Sequence, residues 1–173
     1  GKLSSNINSI EACHGYSFLG LLAEVSPFDI GIGTDKAFQC ILLPERIKFS
    51  QRQWFNLKKQ LMDLGIDCTS YRYYSKHKKD FCSGLRVCIR DISNFSLLRA
   101  LVETLEFFKK EGIHLCFSRK FCSIPGMPKI KELIDGTIKR EDFEAQRKYE
   151  LEHFFVMASS SFMYKPYPKV VVI

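Results

Sequence analysis

Residues 68–90 constrain the fold more than any other part of the sequence. The run 81–90 alternates apolar residues with polar or basic ones, which is the period of a strand with one buried face. Its apolar members are Leu85, Val87 and Ile89, and its polar members are Arg86, Cys88 and Arg90. A second β-like run covers 68–74, and the charged segment 75–80 joins the two. The region therefore predicts an antiparallel hairpin.

The first 43 residues predict a helix followed by another hairpin. Apolar residues recur at helical spacing over 9–25, and Pro27 ends the pattern because it restricts the backbone of the preceding residue. Two short apolar runs follow at 28–32 and 38–43. The turn-forming residues 33–36 lie between these runs, so we expect them to pair.

The remaining segments are predominantly helical by pattern. Ser50 and Gln53 form a capping box that opens a helix over 51–64, and a long helix follows over 94–110. One short helical pattern ends at Gly136, and another helical pattern covers 141–157. A run of β-branched residues covers 170–173.

Together these elements predict an α+β fold in the order α-β-β-α-β-β-α. We expect two antiparallel hairpins in one curved sheet, helices packed on one face, a C-terminal helical extension and a final strand. The expected divisions are a tail over 1–8, an α/β core domain over 9–145, and a C-terminal helix and strand over 146–173. The last part is expected to pack on the core or on a neighbouring part of a longer protein.

Cysteine usage and hydropathy indicate an intracellular protein. The seven cysteines are odd in number and form no CxxC pair, which favours the nucleus, the cytoplasm or an organelle matrix. No apolar run is long enough to cross a membrane, so no membrane partner is expected. The spacing of cysteine and histidine residues indicates no metal site, and no cofactor motif is present.

The net charge of +7 makes nucleic acid, either DNA or RNA, the expected partner. Basic residues cluster in the hairpin over 68–90, where tyrosines lie between them and arginines can share a sheet face. The candidate nucleic-acid-binding residues are Arg72, Tyr73, Lys76, Lys78, Lys79, Arg86 and Arg90 in this hairpin, together with Lys48. A solvated hairpin with a charged tip is the alternative interpretation.

The element order, together with the segment Phe18-Leu19-Gly20-Leu21-Leu22-Ala23-Glu24-Val25-Ser26, resembles one repeat of the LAGLIDADG family of homing endonucleases and maturases. Supporting segments are Leu64 to Ile66, Leu85 to Asp91, and Lys131 to Phe143. The resemblance implies a concave sheet that lies on DNA and a catalytic acid at the eighth motif position. Val25 occupies that position and offers no ligand to Mg²⁺, so no catalytic residue is assigned.

Gly20 and Ala23 form a strip of small residues on the first helix. In the family that the sequence resembles, this helix packs against a second repeat. We therefore expect an interface at Gly20 and Ala23 with a homodimer partner or with another repeat. The alternative is that Gly20 packs against its own sheet.

These observations predict a non-catalytic nucleic-acid-binding domain of a larger intracellular protein, with the basic hairpin holding phosphates. One alternative is a protein–protein interaction or scaffold domain of a larger assembly. The other is a metal-dependent endonuclease whose acid is displaced to Glu24.

Overall fold

The computed structural model describes residues 6–158 and has the predicted α+β class. The chain divides into two compact units, one up to Pro128 and one from Lys129. The helices are α1 Ile10–Leu22, α2 Gln51–Asp63, α3 Leu97–Lys110, α4 Arg119–Ser123, α5 Met127–Asp135 and α6 Arg140–Ala158. The strands are β1 Val25–Ser26, β2 Cys40–Pro44, β3 Ile66–Ser75, β4 Asp80–Ile89 and β5 Cys116–Phe117. The division into domains that the sequence suggested stays a prediction.

The hairpin predicted over 68–90 is present as β3 and β4. Ser75 is opposite Asp80 and Ile66 is opposite Ile89, so the two strands pair along their full length. Strand β2 pairs with the other edge of β4, which gives an antiparallel sheet in the order β2-β4-β3. The central strand β4 thus joins a local hairpin to a strand from much earlier in the chain.

The hairpin predicted from runs 28–32 and 38–43 takes a different form. The two runs are joined by an isolated β-bridge between Asp29 and Leu42. The Asp29 carboxylate accepts the backbone N–H of Gly31 at 2.8 Å, and Gly31 has a φ of 81°, so the chain turns where a strand was expected. Strand β1 pairs with β5 in a separate two-stranded sheet, and the described strands therefore form two sheets instead of one.

Helix α2 begins at the capping box that the sequence predicted. Ser50 accepts the backbone N–H of Gln53 at 3.3 Å, and the side chain of Gln53 accepts the backbone N–H of Ser50 at 2.8 Å. Leu57 and Leu61 are buried, and the helix contacts β3 and β4. Capping therefore fixes where α2 starts, and its apolar stripe fixes the face that meets the sheet.

Helix α3 starts at Leu97 with Ser96 as its N-cap, three residues later than the pattern suggested. Its buried residues include Leu101, Leu105 and Phe108, and the helix contacts both α1 and α2. None of the helices within residues 6–158 is both long and apolar enough to cross a membrane.

Helix α1 is held against the loop that precedes β2. A Cβ atom at Gly15 would collide with the carbonyl oxygen of Phe38, so the helix and the loop backbone touch there. The ring of Tyr16 meets the ring of Phe38 edge-on at 4.9 Å. Gly15 therefore permits a close approach that a larger residue would prevent.

The second unit contains most of α5 together with α6. Among residues 129–158, the buried apolar residues are Ile130, Leu133, Ile134 and Phe143. The Lys129 ammonium donates to the side-chain oxygen of Gln146 at 2.6 Å, which links the two helices. The strand predicted over 170–173 lies outside the described residues.

Candidate functional site

An open cavity of about 570 Å³ lies between the β2–α2 loop, the start of α2 and strand β4. Two aromatic side chains and several polar ones line it, which is the composition of many small-ligand sites. The lining residues are Leu43, Glu45, Ile47, Lys48, Phe49, Ser50, Gln53, Trp54 and Ser83.

Trp54 forms the aromatic wall of the cavity because Gly84 leaves space for it. A Cβ atom at Gly84 would stand 2.6 Å from Cη2 of the indole, far inside van der Waals contact. Phe49 meets the indole edge-on with ring centroids 4.7 Å apart, and Phe108 supports it at 5.9 Å. The indole is thus held in place on three sides and is only half-buried.

The polar side of the cavity is partly preorganised. Gln53 donates from Nε2 to Glu111 at 2.8 Å while its Oε1 accepts the backbone N–H of Ser50. Ser83 projects from β4, and Lys48 is exposed at the rim. The cavity therefore combines an apolar surface with hydroxyl, amide and ammonium groups.

Glu45 and Arg72 form a bidentate ion pair beside the cavity. Nε of Arg72 donates to Oε1 of Glu45 at 2.6 Å, and Nη2 donates to Oε2 at 3.0 Å. The Arg72 guanidinium holds the pKa of the Glu45 carboxyl below its ordinary value, so Glu45 is an anion at neutral pH. The same guanidinium lies 3.9 Å from the centroid of the Phe81 ring.

The predicted basic face divides between the two sides of the sheet. Arg72 pairs with Ser83, whereas Thr69 is the β3 partner of Arg86. Ser83 and Arg86 are three residues apart on a continuous strand, so their side chains point to opposite faces. The prediction that Arg72, Arg86 and Arg90 share a face is therefore wrong.

Arg86 and Arg90 are engaged within the chain. Arg86 donates to the side-chain oxygen of Gln39 at 3.2 Å. Arg90 donates to the backbone carbonyl of Met62 at 2.7 Å and forms an ion pair with Asp67 at 3.3 Å. The two arginines therefore tie strand β4 and the residue that follows it to neighbouring segments.

Tyr73 is a half-buried member of a network around Asp29. Its hydroxyl donates to Oδ1 of Asp29 at 2.5 Å, and the Ser75 hydroxyl donates to Oδ2 at 2.8 Å. Burial and the bond to Asp29 raise the pKa of the Tyr73 phenol. The network ties β3 to the loop before β2, which gives Tyr73 a structural role.

The three lysines at the hairpin tip lie in the turn between β3 and β4. Lys76 and Lys79 are exposed, and Lys78 is half-buried, with its backbone N–H donating to the Ser75 hydroxyl at 3.2 Å. Lys79 adopts a φ of 51°, so the tip is a tight turn. These lysines are at the far end of the hairpin from Arg90.

On helix α1, Gly20 faces the ring of Phe38, because a Cβ there would be 3.9 Å from Cε1. Ala23 is exposed. Glu24 accepts from the Ser118 hydroxyl at 2.8 Å and forms an ion pair with Lys120 at 2.8 Å. Within residues 6–158 no three His, Cys, Asp or Glu side chains come together as a metal site.

The cavity was not predicted from the sequence. Trp54 has the helical spacing of the apolar stripe of α2, together with Leu57 and Leu61, so its local sequence does not distinguish it from a core residue. The missed signal was Gly84, since a glycine inside a strand often marks the close approach of another group. A tryptophan in the first turn of a helix does not by itself indicate a site, and neither does a glycine in a strand. The two indicate a site when a structure shows that they are in contact.

Comparison with known proteins gives the family. The model of the family described as exo-beta-N-acetylmuramidase NamZ, C-terminal, matches residues 14–164. The chain belongs to this family. No curated protein matches the sequence.

A solved structure has a similar fold. It is a DUF1343 family protein from Bacteroides fragilis NCTC 9343, with a TM-score of 0.64 and 20% sequence identity. The match covers 94% of this chain and 44% of the other, so the chain spans less than half the length of that protein. At this identity the likeness concerns the fold alone.

The family match overturns four expectations from the sequence. The LAGLIDADG resemblance is wrong, and so are the nucleic-acid-binding function, the endonuclease function and the nucleic-acid partner. The segment over 18–26 is not one helix, because α1 ends at Leu22 and β1 begins at Val25. An order of helices and strands is shared by unrelated folds and does not define a family. The intracellular location stays a prediction.

Proposed function

We propose that this chain is the sugar-binding C-terminal part of a glycoside hydrolase that acts on N-acetylmuramic acid in peptidoglycan. The proposal is based on the position of the Trp54 indole. The indole packs against Gly84 and forms the aromatic wall of an open cavity with a polar rim. The family match supplies the class of sugar.

The composition of the cavity suits an amino sugar. A pyranose ring has an apolar C–H face that packs on an aromatic ring, while its hydroxyl and N-acetyl groups form hydrogen bonds at the edge. Trp54 and Phe49 offer the aromatic surface, and Ser50, Gln53 and Ser83 offer the polar partners. One sugar unit can therefore satisfy both its apolar face and its polar edge here.

N-acetylmuramic acid also carries a carboxylate on its lactyl ether, and Lys48 at the rim has the opposite charge. The net charge of +7 favours the approach of such an anionic glycan. We therefore propose that Lys48 favours the acidic sugar over its neutral relative.

We assign binding rather than acid catalysis to this cavity. Glycoside hydrolysis uses two carboxyl groups, of which one is protonated when the reaction begins. Glu45 lines the cavity, and its ion pair with Arg72 favours the ionised form. Glu45 is thus suited to position Arg72 and not to donate a proton.

The test uses the fluorescence of Trp54, which is the single tryptophan of the sequence. Titration with a disaccharide that ends in N-acetylmuramic acid should change the emission. The disaccharide that ends in N-acetylglucosamine should bind more weakly, and Lys48→Gln should reduce that difference. An exposed ion pair contributes about 0.2–1 kcal/mol, so the expected change is about 1.4- to fivefold.

Phe55→Ala is the matched control, because Phe55 is the neighbour of Trp54 on α2 but is 66% exposed and does not line the cavity. This variant should bind like the wild type. Unchanged Trp54 emission with both disaccharides at millimolar concentration, together with no heat of binding by calorimetry, would contradict the proposal.

A further inference from the structure

The sheet face that carries the cavity continues beyond it as an exposed strip. Arg72, Tyr74 and Phe81 form this strip, which we call the aromatic platform. Tyr74 is 51% exposed and Phe81 is 41% exposed. Their rings meet edge-on with centroids 5.4 Å apart, and they are cross-strand partners on β3 and β4.

The aromatic platform is continuous with the cavity. Ser83 lines the cavity and is the cross-strand partner of Arg72. Phe81 is two residues before Ser83 on the same strand, so their side chains stand about 7 Å apart on one face. This separation is comparable to the length of one sugar unit.

Glu45 fixes the aromatic platform to the cavity in two ways. Its carboxylate holds Arg72 by two hydrogen bonds, and its backbone N–H donates to the carbonyl of Phe81 at 2.8 Å. The guanidinium is thus held over the Phe81 ring by a partner that itself lines the cavity. Such preorganisation lowers the entropy lost when a ligand binds.

We propose that the aromatic platform is a second sugar subsite, so that the chain holds at least two consecutive units of a glycan. The cavity holds one unit, and the neighbouring unit lies on Tyr74 and Phe81. Arg72 uses two of its five N–H donors on Glu45, and its other donors face the hydroxyl groups of the second unit. This inference rests on the proposed function, since it extends the same site along the same ligand.

The test compares ligand lengths by calorimetry on the full chain. The wild type should bind a tetrasaccharide of alternating N-acetylglucosamine and N-acetylmuramic acid about tenfold more tightly than N-acetylmuramic acid alone, as expected when one well-packed aromatic contact is added. Tyr74→Ala and Phe81→Ala should each remove most of this gain. Both variants should keep the affinity for the single sugar and its effect on Trp54 emission.

Two controls separate loss of binding from loss of fold. Phe55→Ala removes an exposed aromatic ring outside the platform and should keep the full gain with length. Phe81→Leu keeps apolar volume on the strand, and it should lose part of the gain while its circular dichroism matches the wild type.

The outcomes distinguish this inference from the proposed function. If the single sugar changes Trp54 emission but the wild type gains nothing from a longer glycan, the second subsite is wrong and the cavity assignment stands. A gain that persists in Tyr74→Ala combined with Phe81→Ala also overturns the second subsite. If no sugar binds, the proposed function itself is wrong.

Discussion

A Cβ atom at Gly84 would stand 2.6 Å from Cη2 of Trp54, so the indole can occupy its position because residue 84 has no side chain. Glycine in a strand usually weakens the strand, because it adds no side-chain packing. Here it makes the space that the aromatic wall of the cavity occupies.

Gly84→Ala should therefore displace the indole and also strain the sheet, because the new Cβ would collide with the backbone carbonyl oxygen of Ile41. Overpacking of this kind costs about 1–3 kcal/mol in the free energy of unfolding. We expect denaturant titration to show that loss, and Trp54 emission in the folded state should shift. Gly20→Ala is the control, because its new Cβ would meet Phe38 at 3.9 Å in a helix, where alanine is favoured over glycine by about 0.5–1 kcal/mol. Equal stability of the two variants would contradict the prediction.

The Asp29–Tyr73 bond predicts a loss of stability at alkaline pH. Burial, together with the hydrogen bond to Asp29, raises the pKa of the Tyr73 phenol above its ordinary value of 10.0. A raised pKa in the folded state means that the stabilisation is complete below pH 10 and is lost as the pH rises further. Tyr73→Phe should have a flatter alkaline profile of melting temperature than the wild type. Parallel profiles would show that Tyr73 does not titrate as expected.

Glu24 predicts a loss of stability at acidic pH. The hydrogen bonds from Lys120 and Ser118 lower the pKa of Glu24 from its ordinary value of 4.5. The stabilisation is therefore present above pH 4.5 and is lost as the pH falls below it. The melting temperature of the wild type should fall more steeply than that of Glu24→Gln over this range. Arg99→Gln, which breaks an exposed pair with Glu103 elsewhere, serves as the control.

The seven cysteines should differ in their reactivity towards iodoacetamide. Burial raises the pKa of the Cys40 thiol and of the Cys68 thiol to about 12, so almost no thiolate exists at pH 8. Cys13, Cys88 and Cys116 are exposed. Mass spectrometry of the native protein should find these three alkylated first. Early modification of Cys40 would place it nearer the solvent than the structure does.

The sequence predicted the elements whose signals are local. The capping box of Ser50 and Gln53 starts α2, and the alternation over 81–90 identifies β4 with the correct buried face. These signals depend on residues that are close together in the sequence, so they can be recognised without knowledge of tertiary contacts.

Pairing across the chain could not be predicted in the same way. The segment after Asp29 has the residues of a strand, yet its backbone turns because the Asp29 carboxylate accepts the N–H of Gly31. Strand β2 then pairs with β4, more than 35 residues away in sequence. Hydrophobic alternation indicates that a strand exists but does not indicate its partner.

The functional prediction failed for a related reason. Charge placed the site on the hairpin, but the register that puts Arg72 opposite Ser83 separates it from Arg86. Arg72 faces the cavity side, where its partner is Glu45. A count of basic residues cannot reveal which of them already have acidic partners.

The sheet order β2-β4-β3 has a consequence for the route by which the chain folds. Pairing of β3 with β4 closes only a four-residue turn, whereas pairing of β2 with β4 must close a much longer loop at a higher entropic cost. We therefore expect Tyr74 and Phe81 to be brought together in the fast, local step, whereas the cavity and the Glu45–Arg72 ion pair are completed in the slow one. Pulsed hydrogen exchange during refolding should protect the amides shared by β3 and β4 before those of β2. We therefore expect the two parts of the proposed binding surface to form at different times.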